Sequence, residues 1–429
     1  MYRWKKLAKR HKYDKKKRIS DGQKPNLVWC SDPLLNFKYW SNSLVEIGYN
    51  SKTIMSHHYG SNDQGDFDLY FDELDLKSLV FNSDLFTYFF KEYLILEYLL
   101  TKFDIIHTTV NLIPIQNQKL KQLFYQIAHL FGCKVVVIPY GSDYKRYSRI
   151  LDTTRRHTHL YHYPIAGNQE EEITNRLNYS IEHCDIFIPG SQTEGISRWD
   201  VLVFNPLCID LKEWSPREKY VSNNHKIVIT HSPNHKYIKG SSFLINAIKK
   251  LQIEGLKVEL ILLQGFKNSE VKKILGETSD IHVENLHNGY GLNAIEAMSL
   301  GIPVISNLSE NPELKVFRRY GYLNECPALS SNPEDIYNDL KILILNQELR
   351  IELSSRGRAY VEKYHSYSTS QFLFSKVYDK IWFGNENKIM AIFDPNNPES
   401  CNNQSPIIEH PLVENKIPEV LMKTLKIEP

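Results

Sequence analysis

Residues 287–306, HNGYGLNAIEAMSLGIPVIS, combine two closely spaced glycines, an apolar run and a Gly-Ile-Pro sequence. Gly289 and Gly291 can adopt backbone angles that are closed to other residues, so they predict a tight turn whose main chain is open to a ligand. The apolar residues that follow recur at helical spacing, and Gly301 suits the position just past a helix end. The stretch therefore predicts a glycine turn, a short helix and a buried strand.

The start of this helix is a candidate anion site. Its first N–H groups have no partner within the helix and lie at the positive end of the helix dipole, which favours a phosphate. Glu296 lies about one turn further on, where a carboxylate can accept hydrogen bonds from sugar hydroxyls. Phosphate at the turn and hydroxyls at Glu296 together indicate a nucleotide. The alternative is a packing loop with Glu296 on a solvated surface, and this stretch alone does not decide between them.

Charge is unevenly distributed along the 429 residues, although the net charge is only +2. Residues 1–18 hold ten Lys or Arg and one Asp, which leaves 42 basic and 49 acidic residues elsewhere. Such a block is typical of a disordered solvated tail. With Tyr2, Trp4 and Leu7 interleaved, it also fits a segment that lies on an anionic membrane surface. No nucleic-acid-binding module follows it, so we expect no nucleic-acid partner.

The six cysteines show no CxxC spacing, no secretory leader precedes them, and no run of 18 apolar residues occurs. We therefore expect a cytoplasmic protein, or one peripheral at the inner membrane face. The aromatic-rich segment 86–100 carries charges at intervals that favour an amphipathic helix.

Apolar segments alternate with helical patterns from residue 27 onward. FDIIHTT (103–109), CKVVVIPYGSD (133–143) and CDIFIPGS (184–191) are typical of buried strands that end in polar loops. HKIVITHSP (225–233) and KVELILLQG (257–265) repeat the plan in the second half. The fold class predicted is α/β, with two doubly wound parallel-sheet domains that face a central cleft, where such sheets bind ligands.

Proline and charge content set the domain boundaries. We predict a basic tail at 1–26, an amino-terminal domain at 27–210 and a carboxyl-terminal nucleotide-binding domain at 211–365. A terminal helix at 366–384 then returns to the first domain, and a weakly structured, Pro- and Asn-rich end follows at 385–429.

A second candidate anion site precedes the helix predicted at 240–254. Lys236 and Lys239 occupy the loop HSPNHKYIKGSS, at a helix start on a neighbouring βα unit. Two ammonium groups beside a helix N-terminus favour a diphosphate. The alternative is a pair of surface lysines.

Two clusters of side chains are candidate metal-binding sites. His157, His159 and His162 lie in RRHTHLYHYP (155–164), which we expect to be a loop, but their spacing matches no metalloenzyme motif. Asp66 and Asp68 could mimic a pair of metal-binding aspartates, yet an acidic solvated turn is the simpler interpretation. We expect no metal and no cofactor other than the donor substrate.

The pair HSPNHKYIKG and NGYGLNAIEAMSLGIPVIS resembles the carboxyl-terminal domain of GT-B glycosyltransferases, specifically the large retaining family 4, and the resemblance covers about residues 27–384. It implies a nucleotide-sugar donor whose diphosphate binds Lys236 and Lys239 without a metal, with Lys239 active in catalysis. The family's two glutamates, eight positions apart, contact the donor sugar and the ribose. Glu296 matches the second, whereas Asn288 replaces the first. The donor site implied comprises Lys236, Lys239, Gly240, Asn288, Gly289, Tyr290, Gly291, Leu292 and Glu296.

Tyr140 stands where the family commonly has a histidine in the amino-terminal loop, here PYGSD. Tyr140, Gly141, Asp143 and His107 are the acceptor-side candidates, and His107, Asp143 and Asn288 join Lys239 as candidate catalytic residues. The resemblance implies transfer of a sugar to a glycan or lipid-linked acceptor in cell-surface polysaccharide assembly. The alternatives are a nucleotide-sugar epimerase or hydrolase on the same scaffold, or a non-catalytic subunit that binds glycan or a partner transferase.

Overall fold

The computed structural model of the chain describes residues 2–80, 84–113, 115, 117–141, 143–189, 196–198, 200–201, 207–217, 226–287, 289–308 and 326–385. All statements about structure below refer to this part of the chain. The predictions for Asn288 and for the weakly structured end beyond residue 385 lie outside the described residues.

The amino-terminal domain is built on a six-stranded parallel sheet with strand order β3-β2-β1-β4-β5-β6. Its strands are β1 Asn26–Trp29, β2 Asn50–Met55, β3 Leu69–Tyr70, β4 Ile105–Thr108, β5 Lys134–Val137 and β6 Ile186–Phe187. The strand order reverses between β1 and β4, which are neighbours in the sheet. The carboxyl end of such a reversal is where doubly wound sheets form a crevice for ligands.

The described helices of this half of the chain are α1 Tyr2–Ser20, α2 Leu35–Glu46, α3 Asp84–Lys102, α4 Gln118–Gln122, α5 Phe124–Leu130, α6 Thr153–His162, α7 Pro164–Asn168 and α8 Glu170–His183. The helix predicted at 86–100 is confirmed by α3.

The carboxyl-terminal domain has a five-stranded parallel sheet with strand order β11-β10-β9-β7-β8. Its strands are β7 Ile227–His231, β8 Val258–Leu262, β9 Ile281–Asn285, β10 Val304–Ser306 and β11 Leu329–Ser330. Its helices are α9 Ser241–Ile253, α10 Asn268–Thr278, α11 Leu292–Ser299, α12 Ile336–Leu345 and α13 Gln347–Tyr364. The order reverses between β7 and β9, so the loops after these two strands meet at the second crevice.

These two sheets confirm the predicted fold class. The local prediction for 287–306 is also confirmed: α11 ends at Ser299, Gly301 has a φ of 74°, and β10 follows as a buried strand. The helix ends there because Gly301 takes the left-handed backbone conformation, which residues with a Cβ adopt only at a cost.

The basic segment at the amino terminus forms helix α1, so its interpretation as a disordered tail is wrong for residues 2–20. One face of α1 packs on the amino-terminal domain, where Trp4 Nε1 donates to Glu97 Oε2 at 2.8 Å. Lys15 is buried, and its Nζ donates to the carbonyl oxygens of Leu100 and Phe103 at 3.0 and 2.8 Å. The lysine thereby binds the carboxyl end of α3, where helix carbonyls lack partners.

The histidine-rich segment is also helical, because α6 spans residues that we expected to form a loop. Asp152 begins the helix by accepting a hydrogen bond from the Arg155 amide at 3.0 Å. Its histidines point to separate environments: His159 is buried against Tyr147, whereas His162 stacks on Tyr237 of the other domain at 3.9 Å. No group of three metal-binding side chains occurs among the described residues.

The last described helix, α14 Tyr367–Ile381, packs on α2 of the amino-terminal domain. The Ser370 and Ser43 hydroxyls lie 3.0 Å apart, and Gln371 Nε2 donates to the Ser43 carbonyl at 2.8 Å. The chain thus crosses between the domains twice, and α14 ties its end to the first sheet. No helix within the described ranges is long and apolar enough to cross a membrane.

Candidate functional site

A cleft of about 490 Å³ separates the two domains at the carboxyl ends of their sheets. One wall consists of the loops after β1 and β2 together with Tyr140, which follows β5. The other wall consists of the loops after β7 and β8, the start of α11 and Glu284 at the end of β9. Both strand-order reversals open into this cleft, so the fold places it where a doubly wound sheet binds ligands.

The start of α11 forms part of the cleft wall through Gly291, Leu292 and Asn293. The two glycines of the turn serve different purposes. Gly289 has a φ of 56°, the left-handed conformation that favours glycine. Gly291 is extended, and a Cβ there would lie 3.3 Å from Glu284 Oε1. Gly289 therefore shapes the turn, whereas Gly291 leaves room for a carboxylate.

Tyr290, between these glycines, points away from the cleft. Its ring is buried, and its hydroxyl lies 2.8 Å from both Tyr360 Oη and His365 Nε2. Both partners lie at α13 and its end, so the tyrosine fixes the turn against the body of the domain.

Of the two loop lysines, only Lys239 lines the cleft. Its ammonium forms an ion pair with Glu284 Oε1, and the two side chains are 16% and 2% exposed. Burial alone would raise the pKa of Glu284, but Lys239 and the neighbouring His282 together outweigh it and lower the pKa to about 2. Lys236 is exposed and its Nζ lies 5.1 Å from the Tyr237 ring centroid. Lys236 is therefore not part of the cleft lining that contains Lys239.

Gly240 sets the distance between this loop and the end of β9. It has a φ of 77°, and a Cβ would lie 2.9 Å from Leu286 Cβ. Any larger residue would push the loop away from β9, so Gly240 supports the Lys239–Glu284 pair through the backbone.

Glu296 lies behind the cleft wall and has no solvent exposure. Its Oε1 accepts a hydrogen bond from Asn268 Nδ2 at 3.0 Å, and Asn268 itself lines the cleft. Burial raises the pKa of Glu296 to about 8, with a further contribution from the Glu284 charge. The carboxyl group is therefore largely protonated at neutral pH, and it reaches the cleft through Asn268.

Of the acceptor-side candidates, Tyr140 lines the cleft and Asp143 is buried behind it. Tyr140 lines the cleft with 47% exposure, and desolvation of its hydroxyl and the Glu284 charge raise its pKa. Asp143 is buried, and its carboxylate accepts from the amides of Tyr140 and Val110 at 2.9 and 3.0 Å. Burial raises the pKa of Asp143 to about 8. With Gly141 at a φ of 63°, Asp143 shapes the loop that presents Tyr140.

His107 lies in the core of the first sheet. Its Nδ1 is 3.1 Å from the Val28 carbonyl, its Nε2 is 2.9 Å from Tyr378 Oη, and its ring stacks on Trp29 at 3.8 Å. Burial lowers the pKa of His107 to about 3, so the imidazole is neutral. Its carbonyl partner requires the proton on Nδ1, and Nε2 then accepts from the tyrosine. His107 connects β4 to α14 and does not line the cleft.

The candidate metal pair is engaged in separate internal contacts. Asp66 Oδ1 pairs with Lys38 at 2.8 Å, whereas Asp68 pairs with Lys52 at 2.7 Å and accepts from Thr53.

Sequence reasoning missed Glu284 and Asp32, the two carboxylates that line the cleft among the described residues. Asp32 follows β1 and accepts from Thr109 Oγ1 at 2.6 Å. Glu284 stands in β9, where all five residues are buried. A glutamate inside a predicted buried strand is the signal that could have found it, because burying a carboxylate is costly without a partner.

The domains also touch directly on both sides of the cleft. Asp63 accepts hydrogen bonds from Ser269 N and Oγ at 2.9 and 2.7 Å, and the Ser61 carbonyl accepts from Asn268 N at 3.0 Å. A loop of the first domain therefore caps α10 of the second. On the other side, Tyr163 Oη lies 3.0 Å from His235 Nδ1. Contacts between the domains therefore bridge both sides of the cleft.

No family model matches the chain, and no curated protein does either. Among solved structures, it is similar to WaaG, a glycosyltransferase involved in lipopolysaccharide biosynthesis, with 13% identity, 83% of this chain and 99% of that chain covered, and a TM-score of 0.42. It is also similar to a mutant of S. aureus TarM in complex with Fondaparinux, alpha-GlcNAc-glycerol and UDP. The identity is 9%, the match covers 83% of this chain and 99% of that chain, and the TM-score is 0.48. A third similar structure is a UDP-N-acetylglucosamine 2-epimerase. The identity is 12%, the match covers 84% of this chain and 96% of that chain, and the TM-score is 0.40. The resemblance to GT-B glycosyltransferases, and to family 4 among them, stays a prediction.

Proposed function

We propose that the protein is a glycosyltransferase that moves a sugar from a nucleotide-diphosphate sugar to a glycan or lipid-linked acceptor. The observation that carries the proposal is the cleft wall formed by Lys239 and the start of α11, with Glu296 one turn inside the helix. An ammonium group and helix N-terminal amides at one point of the cleft suit a diphosphate.

The leaving group is stabilised by these same groups. Cleavage of the bond between sugar and phosphate builds negative charge on the diphosphate, which Lys239 and the α11 amides stabilise without a metal ion. The ribose hydroxyls lie against Asn268, whose side chain the buried Glu296 holds from behind. Metal independence and retention of configuration are part of the proposal and rest on the resemblance to family 4.

Contacts between the domains keep water from the reaction. The cap on α10 and the Tyr163–His235 contact hold the two walls together. A closed cleft favours transfer to an acceptor over hydrolysis. On the acceptor side, Tyr140 faces the cleft and Asp143 positions its loop, whereas His107 is buried between β4 and α14 and does not contact the acceptor.

The protein is further proposed to act at the cytoplasmic face of an anionic membrane, in assembly of a cell-surface polysaccharide. Helix α1 supports this, because its packed face fixes it to the domain while its outer face is basic. Its exposed basic residues are Lys5, Lys6, Lys9, Arg10, Lys12, Lys16 and Lys17. Each basic group near an anionic surface contributes roughly 1 kcal/mol.

Deletion of α1 would remove the buried Lys15, so the membrane test uses charge changes on the exposed face. We expect Lys5→Gln, Lys9→Gln and Lys12→Gln together to weaken sedimentation with phosphatidylserine vesicles by roughly a hundredfold, from about 3 kcal/mol. The matched control neutralises Lys249, Lys250 and Lys273 on the other domain. Equal effects in both triple variants would show that the surface of α1 has no special role.

The enzymatic proposal is tested with a panel of nucleotide sugars. We expect one of the UDP, GDP, ADP, CDP or dTDP sugars to raise the melting temperature, and the same donor to yield a glycosylated product with a glycan or lipid acceptor. Release of free sugar without an acceptor product would indicate a hydrolase or epimerase. Binding without turnover across acceptors would indicate a non-catalytic subunit.

A further inference from the structure

Helices α6 and α7 expose large apolar side chains beside the cleft. Leu151, just before α6, is 66% exposed, whereas Tyr161 near the end of α6 and Ile165 on α7 are each 71% exposed. The opposite face of α6 is buried through Arg155 and His159. Exposed apolar side chains that occur together mark sites of contact with a protein or a membrane. Leu151, Tyr161 and Ile165 are called the α6–α7 surface below.

The first domain holds this surface in place. The buried His159 ring lies 5.8 Å from the Tyr147 ring, between centroids, and fixes α6 from within. Helix α7 packs closely on α6, because Gly167 has no side chain and a Cβ there would lie 2.7 Å from Leu160 Cδ2. The exposed side chains are therefore carried by a packed pair of helices, and turning them inward would break these contacts.

The α6–α7 surface adjoins the cleft and continues onto the second domain. Tyr163, at the end of α6, places its Oη 3.0 Å from Nδ1 of His235, which lines the cleft. The His162 ring stacks on the Tyr237 ring of the second domain, with 3.9 Å between centroids, and Tyr237 is itself 48% exposed. A partner that covers the α6–α7 surface therefore lies next to the cleft.

The charges around this surface favour an anionic partner. Arg149 is exposed and Arg156 is half-buried, and neither forms an ion pair with another described residue. Asp152 and Glu170 accept hydrogen bonds from backbone amides at 3.0 and 2.8 Å. Aliphatic side chains, tyrosine and arginine together suit a lipid head-group region, where apolar groups insert, tyrosine lies at the interface and arginine contacts phosphate.

A second copy of this chain fits the same surface less well. In a twofold dimer each surface meets its own copy. Arg149 and Arg156 would then lie near the same two residues of the other copy, and like charges that face each other weaken an interface. An anionic bilayer satisfies both the apolar side chains and the arginines.

We propose that the α6–α7 surface inserts into the head-group region of an anionic bilayer. The inference adds an apolar contact beside the cleft to the charge contact proposed for α1. It brings the cleft to the membrane, where the cleft can reach an acceptor that is anchored in lipid. Its test requires no nucleotide sugar, so this inference and the proposed glycosyltransferase activity can fail separately.

The test compares the full chain with the combined variant Leu151→Ser, Tyr161→Ser and Ile165→Ser. Both are sedimented with vesicles of phosphatidylcholine and phosphatidylglycerol. We expect the apparent affinity of the variant to be lower by roughly thirty- to a hundredfold, because complete burial of one such side chain contributes about a factor of ten. The ratio of parent to variant should persist at about 1 M salt, where the effect of the triple α1 variant should vanish.

Two further variants serve as controls. Ile253, Leu345 and Ile351 of the second domain are 86%, 64% and 47% exposed, and their combined change to Ser should leave sedimentation unchanged. Arg149→Gln with Arg156→Gln should weaken binding to the anionic vesicles and not to vesicles of phosphatidylcholine alone. If the triple variant of the α6–α7 surface does not fold by circular dichroism, the single change Ile165→Ser carries the test, with a smaller loss in the same direction.

Three results would overturn the inference. One is equal sedimentation of the parent and the variant of the α6–α7 surface. Another is an equal loss in the control on the second domain, because apolar exposure anywhere on the chain would then suffice. The third is a parent that is dimeric by sedimentation velocity without vesicles and becomes monomeric in the surface variant, because a second copy would then cover this surface. A monomeric parent with a loss confined to the α6–α7 surface supports the inference.

Discussion

Asp63→Ala should open the cleft. In the structure, the Asp63 carboxylate accepts from Ser269 N and Oγ at 2.9 and 2.7 Å, at the amino terminus of the 11-residue helix α10. Removing a helix cap costs about 0.5–2 kcal/mol. In the open form both groups are solvated, so this cost falls on the closed form alone. About 1–2 kcal/mol corresponds to a five- to thirtyfold shift toward the open form.

Small-angle scattering and steady-state kinetics would measure the effect. We expect a larger radius of gyration without donor, and a lower kcat/KM for transfer with more hydrolysis of the donor, because water enters an open cleft. Ser269→Ala removes only the hydroxyl contact and should give a smaller change in the same direction.

A matched control is available within one domain. Asn346 caps α13 by accepting from the Leu349 amide at 2.9 Å, away from the cleft. Asn346→Ala should lower the melting temperature and leave scattering and the ratio of hydrolysis to transfer unchanged. The reasoning would be refuted if Asp63→Ala matched the parent in both scattering and kinetics, or if it behaved like Asn346→Ala.

Three further predictions follow from the site. Lys239→Met should weaken nucleoside diphosphate binding at least tenfold by calorimetry, from a charge-assisted contact of about 1.5–3 kcal/mol, and unchanged affinity would remove Lys239 from the phosphate site. Because burial raises the pKa of Glu296 to about 8 from 4.5, the folded chain holds a proton that the unfolded chain loses, and stability falls as pH rises between these values. As the pH rises from 5 to 8, the free energy of unfolding of Glu296→Gln should therefore increase relative to that of the parent, by up to about 1.4 kcal/mol per pH unit. Urea titrations measure this difference, and a difference that does not change with pH would contradict the raised pKa. EDTA should leave transfer intact, and a loss that manganese restores would return Asp66 and Asp68 as candidate ligands.

The sequence by itself determined the repeating βα plan and the geometry of its key turn. Strands that are apolar throughout indicate a sheet covered on both faces, and the spacing of apolar residues fixed the helix that became α11. Gly301 and the proline after it marked its end. These features depend on residues close together in the chain, so periodicity and backbone preference are enough to predict them.

Only the tertiary structure decided which side chains share the cleft. Lys239 meets Glu284 because β7 and β9 are neighbours across the strand-order reversal, a pairing that no local pattern encodes. His107 at a strand end resembled a cleft residue, but α14 returns to this domain and covers it. The basic block 1–18 is polar by composition, yet it forms a helix that packs on the amino-terminal domain, because Lys15 donates hydrogen bonds to the carbonyls at the end of α3. Burial and charge partners depend on contacts between residues far apart in sequence, and those contacts exist only after the chain has folded.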